Sequence, residues 1–77
     1  MLAIVYSNGS QECDRAVALF ESLRQEYIEY TLNTDFTLKQ FIEEFGAEAE
    51  FPQVAIGINH VGGLKETLQY YKLRNVL

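Results

Sequence analysis

Cysteine occurs once in this 77-residue chain, at position 13, so no disulfide within the chain can staple the fold. Histidine also occurs once, at position 60. Together with Met1 these are the only soft ligands, too few for a Cys/His metal cluster. Proline is present only as Pro52, and tryptophan is absent. Positive charge is scarce: six Lys and Arg against eleven Asp and Glu leave a formal net charge of −5. That balance disfavours nucleic acid, whose binding relies on cations neutralising phosphates. It equally disfavours an anionic membrane surface. No apolar run approaches the roughly 20 residues a membrane helix needs. The apolar start, Met1 to Tyr6, has neither a basic flank nor a cleavage site and reads as a strand, not a secretion signal. The expected setting is the cytoplasm, where a lone free thiol is ordinary, and the expected state is a monomer.

Apolar residues make up 48% of the chain, with five Phe and five Tyr among them. That suffices for one compact core in one domain. Leu2 to Tyr6, closed by Ser7-Asn8-Gly9, has the pattern of a buried strand and its exit loop. From about Glu12 the period changes: Ala16, Leu19, Phe20 and Leu23 mark an amphipathic helix, with Ser10 as its N-cap and Cys13 in its first turn. Tyr27 to Leu32 alternates as a second strand. Asn33-Thr34-Asp35 is expected to turn the chain and to cap a second helix, with Phe36, Leu38, Phe41, Ile42 and Phe45 as its stripe and Gly46 as its stop. Pro52 precedes a third strand, Gln53 to Gly57. A turn at Ile58-Asn59 leads to a short fourth strand at His60-Val61, and Gly62-Gly63 breaks it. A last helix follows, with Leu64, Leu68, Tyr71 and Tyr70 directed at the core. The β-α-β opening implies a parallel pair with a right-handed crossover, and the closing hairpin adds an antiparallel strand. The sheet is therefore expected to be mixed, with helices on both faces.

Three local patterns carry a resemblance. Val5-Tyr6-Ser7, a short loop, then Cys13-Asp14-Arg15-Ala16 opening a helix is similar to the active-site entry of glutaredoxins. Phe51-Pro52-Gln53-Val54 resembles that family's cis-proline segment, and His60-Val61-Gly62-Gly63 its His-x-Gly-Gly turn. They occur in the right order and span essentially the whole chain. The resemblance implies a thioredoxin fold: one α/β domain with a four-stranded mixed sheet (β-α-β-α-β-β-α) flanked by three helices. It also implies thiol–disulfide chemistry, with electrons passed to protein disulfides or glutathione mixed disulfides. Ribonucleotide reductase is a partner it suggests, with glutathione as co-substrate and no bound cofactor. Ser10 and Cys13 fall at the redox positions. Tyr6, Gln11, Phe51, Pro52, Gln53, Val54, Gly62, Gly63 and Leu64 fall at substrate-binding ones.

The departures bear on chemistry. Ser10 stands at the attacking position of the two-cysteine relatives, and Cys13 at the resolving one. Exchange needs a thiolate in line with a sulfur, and a hydroxyl cannot replace it. Dithiol activity is therefore expected to be impaired, and a peptide- or protein-binding module without catalysis is the alternative. At Cys13 the helix dipole favours an anion, Glu12 and Asp14 oppose it, and Arg15 offsets part of their charge. A weakly reactive, partly shielded thiol is expected. Asn8 stands where the family carries a basic residue, and Lys65 where it carries an acid after the Gly-Gly turn. Backbone amides around Pro52-Gln53-Val54 are expected to pair a peptide, and the Gly63 end of the last helix to hold a carboxylate. Tyr6 is expected to line the groove, and His60 to be structural.

Overall fold

The computed structural model describes residues 1–77. The elements run β1 (Ala3–Ser7), α1 (Gln11–Ser22), β2 (Tyr27–Thr31), α2 (Leu38–Phe45), β3 (Gln53–Ile56), β4 (Asn59–Gly62) and α3 (Leu64–Leu73). The sheet order is β2-β1-β3-β4. β1 pairs in parallel with β2 and antiparallel with β3, and β3 pairs antiparallel with β4. This is the expected mixed sheet and element order of a thioredoxin fold.

Strand periodicity divides the two faces. Ala3 and Val5 of β1, with Val54 and Ile56 of β3, point to one side, where they pack with Phe20 of α1 and Tyr71 of α3. Ala3, Val5, Phe20 and Val54 are wholly removed from solvent. Shifting β1 by one residue would move this whole set to the opposite face, so the register is firmly specified. The opposite face presents Tyr6, which touches the rings of Tyr30, Phe36 and Phe45 at centroid distances of 5.7, 5.5 and 5.1 Å. α2 covers this end through aromatic contacts: Phe41 lies 4.9 Å from Phe45 and stacks on Phe51 at 4.1 Å.

Several expectations are corrected. The cap of α2 is Thr37, not a residue of Asn33-Thr34-Asp35. Its hydroxyl accepts from Gln40 N at 3.1 Å while Gln40 Oε1 accepts from Thr37 N at 2.9 Å, a reciprocal box that satisfies two orphan donors. Asn33-Thr34-Asp35 instead forms a closed turn: Asn33 has φ +68°, and Asp35 accepts from Thr31 N at 2.8 Å. Phe36 therefore precedes the helix, and Leu38 and Ile42 are largely exposed. The β3–β4 turn is Gly57-Ile58, one residue earlier than expected. A positive φ of +61° at Gly57, first of the two turn residues, suits a hairpin and is easy only for glycine. Val61 is the extra residue where the β3–β4 register shifts, since Val54 faces Gly62 and Ala55 faces His60. In α3, Leu68 is 41% exposed and the buried position belongs to Thr67. The Thr67 hydroxyl donates to Gly63 O at 2.8 Å, so a polar group is buried without loss of a partner. Tyr70 is half-buried, with the Arg74 guanidinium 3.6 Å above its ring.

Candidate functional site

The loop after β1 is held by its own side chains. Gly9 N donates to Ser7 Oγ at 3.0 Å, and Ser10 N donates to Asn8 Oδ1 at 3.1 Å. Ser10 has extended backbone angles and caps α1, accepting from Cys13 N at 3.4 Å. Glu12 and Asp14 in the first turn complement the positive end of the helix.

Cys13 faces inward and is fully buried. Its Sγ accepts from the Ser10 hydroxyl at 3.2 Å and donates to Asn8 Oδ1 at 3.4 Å. The hydrogen bonds form one consistent chain: the hydroxyl gives its proton to sulfur and the thiol gives its proton to the amide. Nothing in this arrangement exposes sulfur to an approaching disulfide. Asn8 thus has a role that its family position did not suggest, as the acceptor that holds the loop over the thiol.

The Phe51–Pro52 peptide bond is cis. Phe51 precedes the first ladder residue of β3, and neither its N–H nor its C=O has a partner within the chain. Gly63, the N-cap of α3, lies beside this segment, a built Cβ there coming 3.5 Å from Pro52 O. These pieces line one open groove with Glu12 of α1, Leu64 at the start of α3, and the carboxylates of Glu48, Glu50 and Glu66. The first turn of α1 and the proline segment therefore share a groove, although Cys13 is buried and is not part of its lining.

Other expected substrate positions fall elsewhere. Tyr6 points to the α2 face and lines a separate cleft with Phe36, Gln40 and Glu44, because alternation sends Val5 and Ser7 toward α1 and Tyr6 away from it. Burial, then Glu44, then Tyr30 push the Tyr6 hydroxyl above its usual range, so it stays protonated near neutrality. Gln11 is exposed and does not line the groove, its place being taken by Glu12. Val54 is a core residue paired on both sides, with Val5 and Gly62, and its amide is no docking point. Gln53 does line the groove, though it is almost fully buried there and works as a brace: its Nε2 donates to Glu50 O at 2.8 Å and its Oε1 meets His60 Nε2 at 2.7 Å. That contact gives His60 the structural role expected of it. Gly62 belongs to β4, with φ +121°. The carboxylate seat at the start of α3 is filled from within, since Gly63 N donates to Glu66 Oε1 at 2.9 Å. No three His, Cys, Asp or Glu side chains converge on a metal position.

A thioredoxin fold with a cis-proline facing one groove with the helix bearing Ser10-x-x-Cys13 defines the class. Comparison narrows it. Reduced Escherichia coli glutaredoxin superposes over the whole of both chains with a TM-score of 0.81 at 19% identity. A buckwheat glutaredoxin in complex with glutathione gives 0.79 at 22% identity, over 96% of this chain and 71% of that one. A protein named actin interacting protein 5 gives 0.68 at 21%, over 99% of this chain and 96% of that one. No protein-family model matches the sequence, and no curated protein does. The chain has the glutaredoxin form of the thioredoxin fold.

Proposed function

We propose that this chain is a glutaredoxin-fold binding protein, which holds a peptide-like partner in the groove beside Phe51-Pro52 and does not turn over disulfides. One observation carries the reading: the only thiol, Cys13, is fully buried and hydrogen-bonded to Ser10, the residue that the resemblance aligns with the attacking cysteine. Disulfide exchange needs an accessible thiolate and a second thiol, or an external one, to release the mixed disulfide. A buried thiol that already donates to Asn8 Oδ1 offers neither access nor a partner. The unpaired peptide groups of Phe51 support binding, because an extended segment can pair with them as an added strand. The glutathione held by the buckwheat neighbour, and the name of the actin-interacting one, support a peptide or protein as the class of ligand.

A second reading is favoured by the 3.2 Å contact between Ser10 Oγ and Cys13 Sγ, which keeps positions 10 and 13 in register for a dithiol pair. On that reading the chain is a glutaredoxin-like electron carrier to protein disulfides, ribonucleotide reductase among them, with its activity impaired by Ser10. The hydroxyethyl-disulfide assay with glutathione separates the two. The binding reading expects a rate no higher than the protein-free control. A protein-dependent rate that disappears on alkylating Cys13 would establish the second reading instead.

A further inference from the structure

We infer that the groove beside Phe51-Pro52 selects an extended, basic polypeptide segment, rich in Lys and Arg, over the acidic tripeptide glutathione. The inference rests on the binding reading above and adds the chemistry of the ligand. Its first support is main-chain geometry. Phe51 lies two residues outside the Tyr6–Gln53 end of the β1–β3 ladder, with Pro52 between, and both its peptide groups are unpaired. A backbone edge of this kind recognises an extended chain and is indifferent to side-chain identity, so selectivity must come from the walls.

Its second support is the electrostatics of those walls. Glu12, Glu48, Glu50 and Glu66 surround the segment, and Lys65 is the one cation among the lining residues. These residues line one groove, and a ligand seated in it feels together those carboxylates that lie within the screening length of about 10 Å at 0.1 M salt. The third support concerns the α3 N-terminus, the one feature there suited to receiving an anion. Glu66 Oε1 already accepts from Gly63 N at 2.9 Å, and its side chain lies where a Cβ on Gly62 or Gly63 would touch it. A ligand carboxylate must displace this cap and then face the remaining acids. A ligand ammonium or guanidinium meets no such obstacle, and it complements a chain whose overall charge is −5.

The test uses the full chain and four fluorescent probes. These are an extended hexapeptide with alternating Lys/Arg, its Gln counterpart, its Glu counterpart, and the basic peptide N-methylated at its central amides. Binding is read by anisotropy at low and moderate salt, with reduced glutathione as competitor. The basic peptide is expected to bind about tenfold or more tighter than the Glu peptide, since several exposed charge pairs, each weak alone, act together. Its affinity is expected to fall with salt and on N-methylation. The triple change Glu12→Gln, Glu48→Gln and Glu50→Gln leaves the Glu66 cap in place and is expected to remove most of the preference with an unaltered circular dichroism spectrum. Equal binding of Lys/Arg, Gln and Glu peptides, or stronger binding of glutathione, would overturn the charge inference while leaving the groove intact. Failure of every peptide and of glutathione to bind would overturn the groove reading itself.

Discussion

Changing Ser10 to cysteine is expected to convert the chain into a working disulfide reductase. Ser10 Oγ and Cys13 Sγ lie 3.2 Å apart across the first turn of α1, and a rotamer adjustment would bring two sulfurs there within bonding reach. Residue 10 is only half-buried at the mouth of the loop, whereas Cys13 is sealed below it, so the new thiol supplies the access that the natural one lacks. A thiolate at the N-cap also gains from the helix dipole. Once the mixed disulfide forms, Cys13 becomes an internal resolving group, and intramolecular positioning of this kind is worth many orders of magnitude in effective concentration. A rise of at least about a hundredfold over the parent is a modest share of that gain. The check is the hydroxyethyl-disulfide rate of S10C beside the parent and the S10C/C13S double variant. The double variant is expected to accumulate a glutathione adduct but to form no internal disulfide. A folded S10C that neither forms a disulfide between positions 10 and 13 under oxidation nor reduces the substrate would show that the loop does not present residue 10 as described.

The largest loss of stability is expected from Phe20→Ala. Phe20 is wholly buried, packs against Val5, Val54 and Ile56, stacks on Tyr27 at 5.9 Å and meets the Tyr71 ring edge at 6.2 Å. It therefore joins α1, β2 and α3 through one side chain. Truncating a buried Phe costs about 3–5 kcal/mol, against a total of roughly 5–15 kcal/mol for a domain, and a small one lies at the lower end. Urea unfolding is expected to show a midpoint shifted far down or a chain largely unfolded at 25 °C. Leu68→Ala, at a residue 41% exposed, serves as the contrast and is expected to change stability by no more than about 0.5 kcal/mol. Comparable losses from the two would mean that the α3 face is assigned the wrong way round.

Those two residues also mark how far the sequence could be read. Phe20 sits in an unbroken 3-4 pattern, and β1 in a β-branched run between a terminus and a glycine loop, so both elements and their core were legible. The Ser10 cap was legible for the same reason: a hydroxyl residue directly before the first helical turn has one obvious use. α3 misled because a hydrophobicity rule prefers Leu68 to Thr67, and only the bond from the Thr67 hydroxyl to Gly63 O makes the threonine fit for burial. Thr37 was hidden behind three better-placed capping types at 33–35, though its Thr-x-x-Gln spacing to Gln40 was the signal that identifies it. At the groove, the resemblance named Phe51, Pro52, Gln53, Gly63 and Leu64, which do line it, together with Tyr6, Gln11, Val54 and Gly62, which do not. Period-two alternation separates Val5 from Tyr6, but no local pattern says which sheet face borders the groove. The Glu66 cap escaped notice because its partner is the glycine at position 63, which carries no side chain to complete a recognisable box.

Reaction of Cys13 with Ellman's reagent in native buffer and in denaturant tests most directly whether the sulfur is withheld from chemistry. With the thiol fully buried and both of its hydrogen bonds made inside the loop, the native rate is expected to be set by local opening, at least about a hundredfold below that of the unfolded chain. A native thiol that reacts as fast as the unfolded one, and fully, would place Cys13 at the surface and contradict a binding protein without turnover.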